Sequence, residues 1–335
     1  LIHHILKACG RPVQIGGNFG PPVLGMEPPP SGEALVLELS SYQLDLTYAA
    51  AFEIAVLINV SPDHLDRHGD MAGYLAAKKR IFRTRTGATA GQLAIVGVDD
   101  THCRAVRDEI AARDGWRTIS VSVGSAVDGG VYAIDGTLFD ALDGAADAGH
   151  DISGIDTLRG PHNWQNAAIA WAVARAQGLA AIDIAAALRT FPGLPHRMEP
   201  LGEIAGVRYV NDSKATNGAA AARALSSFTD IHWIAGGIAK EDGLAPCAPF
   251  FGNVAHAYLI GAAADAFDAE ISGGVPVTRS GDLATALADA RRNAASGSVV
   301  LLSPACASFD QFANFGARGD AFRDLVSALL VGGAA

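Results

Sequence analysis

No stretch of this 335-residue sequence approaches the roughly 20 consecutive apolar residues that a membrane-spanning helix needs, although half of its residues are hydrophobic. A basic stripe is missing too. Lys and Arg number 25 against 35 Asp and Glu, which disfavours a general nucleic-acid-binding role. Cysteine is scarce: Cys9, Cys103, Cys247 and Cys306 are widely separated, form no Cys-x-x-Cys pair and follow no secretory signal. Reduced thiols in a cytoplasmic protein are therefore expected. Internal repeats and low-complexity tracts are absent. The sequence begins without Met, and Leu1 to Gly10 reads as the body of an uncapped helix, so a segment before Leu1 is expected.

What is present reads as an α/β protein with many tight strand–helix turns. There are 38 glycines, Ala-rich helical patterns and short apolar runs, and the length is that of two domains. Val13 to Asn18 predicts a strand entering a glycine turn. The runs Ala34 to Leu39 and Ile54 to Val60 predict buried parallel strands, and Met71 to Arg83 a helix. Residues 93–157 read as short strands and polar turns without chemistry. Helices follow from Leu158-Arg159-Gly160-Pro161 to Ala176 and from Ala181 to Arg189. Phe191 to Pro195 is the expected linker, dividing a domain of residues 1–193 from one of 194–335. Strand-like runs at Val207, Ile231, Ala257 and Val299 describe a doubly wound second domain.

The chemistry-bearing residues sit where these runs end. Asp212-Ser213-Lys214-Ala215-Thr216-Asn217 crowds an acid, hydroxyls, an amine and an amide onto a strand-to-helix turn, where an anion is favoured; Asp212 or Ser213 as a helix cap is the competing reading. Glu38 ends one strand and His64 follows the next, so both could hold a hard divalent ion; a solvated strand end and a capping turn are the alternatives. Lys78 taken alone reads as a solvated helical cation. Asn163 and Asn166 share a helix face. Arg197 places a bidentate anion binder beside the linker, and Lys240 follows Gly236-Gly237. Ser308 lies in a polar turn after a strand and reads equally well as a ligand contact or an N-cap.

The order of these segments resembles the Mur ligases of peptidoglycan synthesis, within them the D-glutamate-adding branch. The segments are Gly16-Gly17-Asn18, Glu38 to Leu44, Asp63 to Arg67, Tyr74 to Lys78, His162 to Asn166, Leu194 to Arg197, Asn211 to Asn217, Gly236-Gly237 with Lys240, and Ser303 to Phe315. The resemblance implies a central ATPase domain with a mostly parallel sheet and a C-terminal Rossmann-like domain. It implies an ADP-forming cytoplasmic ligase, serving cell-wall synthesis, shape and division. ATP would activate UDP-N-acetylmuramoyl-L-alanine as an acyl phosphate that D-glutamate attacks. It places two Mg²⁺ ions at Glu38, His64 and Lys78, the lysine carrying a CO₂-derived carbamate. Asn163, Asn166, Arg197 and Asp212 fall to ATP; Asn18, Ser40 and His64 to the UDP-sugar; Lys214, Thr216, Lys240, Ser308 and Phe315 to D-glutamate, with Lys214 also catalytic. A monomer without membrane insertion is expected.

The family's phosphate loop, Gly-x-x-Gly-Lys-Ser/Thr, occurs nowhere in these residues. The expectation is a fragment that lacks this loop and the UDP-binding domain and cannot turn over as it stands. Two other readings remain open: a folylpolyglutamate-synthase-like amide ligase of the same superfamily, and a non-catalytic ligand-binding module.

Overall fold

The helical pattern at the start of the chain forms α1 (Ile2–Ala8), which buries Ile5 and Leu6. The computed structural model describes residues 1–85, 91–241, 243–271 and 273–332. It divides into two units, Leu1–Phe191 and Pro192–Ala335. Residues 333–335, inside the second expected domain, lie outside the described residues.

In the first unit α1 leads into β1 (Val13–Gly17) and β2 (Ala34–Glu38), a parallel pair. Ala34 to Leu37 of β2 are half-buried rather than buried as the apolar run suggested, and Glu38 is exposed, since the strand has one hydrogen-bonded neighbour among the described residues. Next come α2 (Ser41–Asp45), β3 (Ile54–Leu57), α3 (Leu65–His68) and α4 (Met71–Lys79). The strand stops three residues short of Val60. After β4 (Gln92–Gly97) the structure forms α5 (Thr101–Ala111), a helix where short strands and turns were expected. Asp100 caps it, accepting from the Cys103 amide, and its apolar positions Cys103, Val106 and Ile110 face inward. Then follow β5 (Trp116–Val123), β6 (Val131–Ile134), β7 (Thr137–Asp140), β8 (His150–Asp151), α6 (Pro161–Ala176) and α7 (Ala181–Arg189). Strands β3 to β8 form one sheet in chain order, parallel through β6 and antiparallel beyond.

Side-chain alternation in β4 explains why both faces are covered. Leu93 and Ile95 pack with α1, α6 and α7, whereas Ala94 and Val96 pack with α4 and α5. Helix α6 is buried from Ala167 to Ala174.

The second unit holds β9 (Glu199–Ile204), β10 (Val207–Asn211), α8 (Gly218–Leu225), β11 (Ile231–Gly236), β12 (Ile238–Ala239) and β13 (Val254–Ile260). These are followed by α9 (Ala264–Ile271), β14 (Val277–Gly281), α10 (Leu283–Asn293), β15 (Val299–Leu302), β16 (Cys306–Ala307) and α11 (Phe315–Gly332). The main sheet has the order β14-β13-β11-β15-β10-β9, parallel except for the edge strand β9. Trp233, Ala235, Leu259 and Leu301 pack on one face with α8 and α9; Ile234, Tyr258, Val300 and Leu302 pack on the other with α10 and α11. The chain winds outward to β14 and returns to insert β15 between β11 and β10. In such sheets, ligands lie outside the carboxyl ends where the winding reverses.

Candidate functional site

In the first unit β1 and β2 end level, with Gly17 opposite Glu38. The Asn18 amide donates to the Glu38 carbonyl at 2.7 Å, so the exposed side chains of Asn18 and Glu38 leave neighbouring strand ends. A Cβ on Gly17, at φ 112°, would stand 2.2 Å from that carbonyl; only glycine lets the strands approach this closely. Ser40 caps α2 in a reciprocal box: its hydroxyl accepts from the Gln43 amide at 3.3 Å, and the Gln43 side chain accepts from the Ser40 amide at 2.9 Å.

His64 occupies the N-cap position of α3 in the left-handed region, φ 52°, without a side-chain capping bond. Its ring instead lies 3.4 Å from Asp63 and edge-on to Tyr42. Lys78 is half-buried, not fully solvated, with Nζ 4.9 Å from the centre of the Tyr74 ring. His68 lies against both Tyr42 and Tyr74, so a run of rings connects the surroundings of His64 and Lys78. Among the described residues no three His, Cys, Asp or Glu side chains converge to hold a metal. A carboxylate at Glu38 is the kind of oxygen donor a magnesium ion takes, whereas an imidazole at His64 is a softer donor less suited to it. An ammonium at Lys78 cannot ligate; a carbamate there would add an oxygen donor.

Asn163 and Asn166 do share a face of α6: the Asn166 amide donates to the Asn163 Oδ1 at 3.3 Å, and Asn163 donates to the Arg159 carbonyl at 3.0 Å. Between them Gln165 turns inward, donating to Asp99 at 2.7 Å and accepting from Asn59 at 3.2 Å, which pins the start of α6 to the ends of β3 and β4. That anchor is absent from the sequence reading.

In the second unit the candidates gather on loops leaving the carboxyl ends of β10, β11 and β15, three neighbours in the sheet. Neither Asp212 nor Ser213 caps α8. Asn217 does, accepting from the Ala220 amide at 2.8 Å. Asp212 is 6% exposed and receives bonds from the Met198 amide at 3.1 Å and the Ser303 hydroxyl at 2.9 Å. Burial pushes its carboxyl up to about 7, against the opposing pull of those bonds and of the Arg197 charge. Arg197 is exposed, and its neighbours His196 (φ 61°) and Met198 (φ 47°) both adopt left-handed backbone.

Lys214 lies with Nζ 5.2 Å from the centre of the Phe315 ring. Thr216, half-buried, follows it on the same loop, its amide donating to the Lys214 carbonyl at 2.9 Å. Lys240 is exposed just past β12, and Ser308 just past β16, strands that pair antiparallel with Ile238 opposite Ala307. Ser308 caps no helix; its hydroxyl is buried and has no hydrogen-bond partner among the described residues.

Several residues missed by sequence reasoning hold these loops. Asn211 donates to His196, Glu199 and the Gly319 carbonyl, and accepts from the Ser213 amide. Gly319 lies so close to His196 that a Cβ would stand 2.2 Å from Nδ1. Arg318, 1% exposed, binds Ser213 and Cys306. In the sequence it is one arginine among many at helical spacing, with no signal of burial.

Both units are α/β, and each carries its candidate residues mainly on polar loops beyond the ends of parallel strands, where folds of this kind bind ligands. The Mur ligase middle domain model matches residues 1–174, and the Mur ligase, glutamate ligase domain model matches residues 196–306. The chain belongs to the Mur ligase family. It is 50% identical over 333 residues to the UDP-N-acetylmuramoylalanine–D-glutamate ligase of Rhodospirillum rubrum, covering 98% of this chain and 69% of that protein. It is 49% identical over 336 residues to the enzyme of the same name from Caulobacter vibrioides, covering 99% and 71%. Among solved structures, the D-alanyl-D-alanyl-adding ligase of Acinetobacter baumannii superposes with a TM-score of 0.65 at 18% identity, covering 97% of this chain and 73% of that one. Escherichia coli FolC, solved with ADP, gives 0.64 at 17% identity, covering 98% and 86%; both likenesses concern the fold.

Proposed function

We propose that this protein joins D-glutamate to UDP-N-acetylmuramoyl-L-alanine at the expense of ATP. The observation that carries it is the 50% identity, along nearly the whole chain, to relatives named for that reaction. The carboxylate of the UDP-sugar peptide attacks the γ-phosphorus of ATP, forming an acyl phosphate and releasing ADP. The amine of D-glutamate then attacks the acyl carbon, an amide bond forms and phosphate leaves. Catalysis of this kind rests on positioning and on charge placed where the phosphoryl oxygens gain it.

The residue roles follow as proposals. Asn163 and Asn166 present amides to the adenine; Arg197 and Asp212 meet phosphate and ribose. Asn18, Ser40 and His64 face the UDP-sugar. Glu38, His64 and Lys78, the last as a carbamate, hold magnesium, which neutralises phosphate charge when bound. Lys214, Thr216, Lys240, Ser308 and Phe315 take D-glutamate. Lys214 and Lys240 supply cations for its two carboxylates, and the Ser308 hydroxyl, without a hydrogen-bond partner among the described residues, supplies a donor. The site of action is the cytoplasm.

The test is phosphate release by the protein expressed from its complete gene, given ATP, Mg²⁺ and UDP-N-acetylmuramoyl-L-alanine. Release that depends on D-glutamate is expected. Release supported equally by L-glutamate, as a folylpolyglutamate-type ligase would give, or no release at all, would overturn the reading.

A further inference from the structure

Four chain segments that carry the proposed amino-acid contacts meet at one buried guanidinium. Arg318 Nε donates to the Ser213 hydroxyl at 3.0 Å and Nη2 to the Ser213 carbonyl at 2.9 Å, on the loop of Lys214 and Thr216. Nη2 also donates to the Cys306 carbonyl at 3.0 Å, two residues before Ser308. Nη1 has no hydrogen-bond partner among the described residues and lies 3.3 Å from where a Cβ would stand on Gly237, under the turn leading to Lys240. Arg318 itself belongs to the first turn of α11, which opens at Phe315. The Ser213 hydroxyl relays the contact by donating to the Phe315 carbonyl at 2.8 Å.

All three of these bonds end on uncharged oxygens. Burial draws the guanidinium down to about 10, so it remains a cation at neutral pH. Asp310, occupied by the Ala262 amide, supports that charge at longer range. A buried cation bonded to neutral groups is costly unless something anionic completes it. Lysine could not replace it, because a point ammonium cannot reach two segments in one plane as the guanidinium fork does.

We propose that Arg318 is the positioning residue of the amino-acid site: it fixes the loops of Lys214, Lys240, Ser308 and Phe315 against one another and gives that site a permanent positive charge suited to a dicarboxylic amino acid. This rests on the D-glutamate reading given above. Arg318→Lys and Ser213→Ala, made in the protein from its complete gene, test it by steady-state kinetics and backbone hydrogen exchange. Arg318→Lys is expected to raise the KM for D-glutamate about tenfold or more while the KM for ATP stays within about twofold. Ser213→Ala should shift the same constant in the same direction by less, and it keeps the test alive should Arg318→Lys fail to fold. Exchange should quicken locally, at residues 213–217, 237–240 and 306–315. An unchanged D-glutamate KM, an equal rise in the ATP KM, or exchange quickened evenly across the unit would overturn the positioning role. Should the unaltered protein show no D-glutamate-dependent release, the substrate assignment falls, and the exchange pattern alone decides whether Arg318 organises the loops.

Discussion

Asp212 is an acid whose environment opposes its charge, and the consequence for stability has a definite sign. Its carboxyl is raised from 3.8 to about 7 by burial. Between those values the folded protein keeps a proton that the unfolded chain has already lost, so raising the pH across this interval costs stability. Asp212→Asn removes the titration. The melting temperature of the variant relative to the native protein, without nucleotide, should therefore climb from about pH 4 to about pH 7 and level off above. A constant difference would contradict the burial argument. Lys78 gives a second prediction at this scale. If a carbamate there is a metal ligand, Lys78→Ala should be inactive and regain part of its rate with millimolar formate or acetate; full activity without rescue would remove it from the site.

Individual loops are held by caps whose worth can be measured. Asn217→Ala deletes the bond to the Ala220 amide and should cost about 1 kcal/mol in denaturant unfolding of the second unit. The same loop shows where the sequence was readable. Buried strands β11 and β15 were legible as strand-like runs because residues covered on both faces must be apolar on both. Helix α5 was not, since Cys103, Val106 and Ile110 are its buried residues among charged neighbours, a pattern too sparse to outweigh an expectation of strands. The polar loops at strand ends were legible as contiguous segments. What escaped was the support behind them: Arg318, Asn211 and Gln165 are defined by partners as many as 108 positions away, as with Asn211 and Gly319, and no local pattern encodes that. The capping alternative at this turn fails for a related reason. Asp212 and Ser213 have cap-forming side chains, but tertiary bonds to Met198, Ser303 and Phe315 claim them first.

Over the whole molecule, chemistry is added to a fold whose described residues assemble no metal cluster of their own. Chelation with EDTA should therefore abolish phosphate release and leave the melting temperature unchanged; a marked drop would mean that an ion also serves the fold. The contact between Gly319 and His196 has a consequence of a genetic kind. The α11 backbone at Gly319 rests on the imidazole of a residue more than a hundred positions earlier, at the entry to the unit. Gly319→Ala alone should behave as a loss-of-function allele, while His196→Gly, which empties the space and suits the left-handed backbone there, should suppress it. In a library randomised at both positions, survivors would be inherited as pairs, so that these distant codons behave as a single locus.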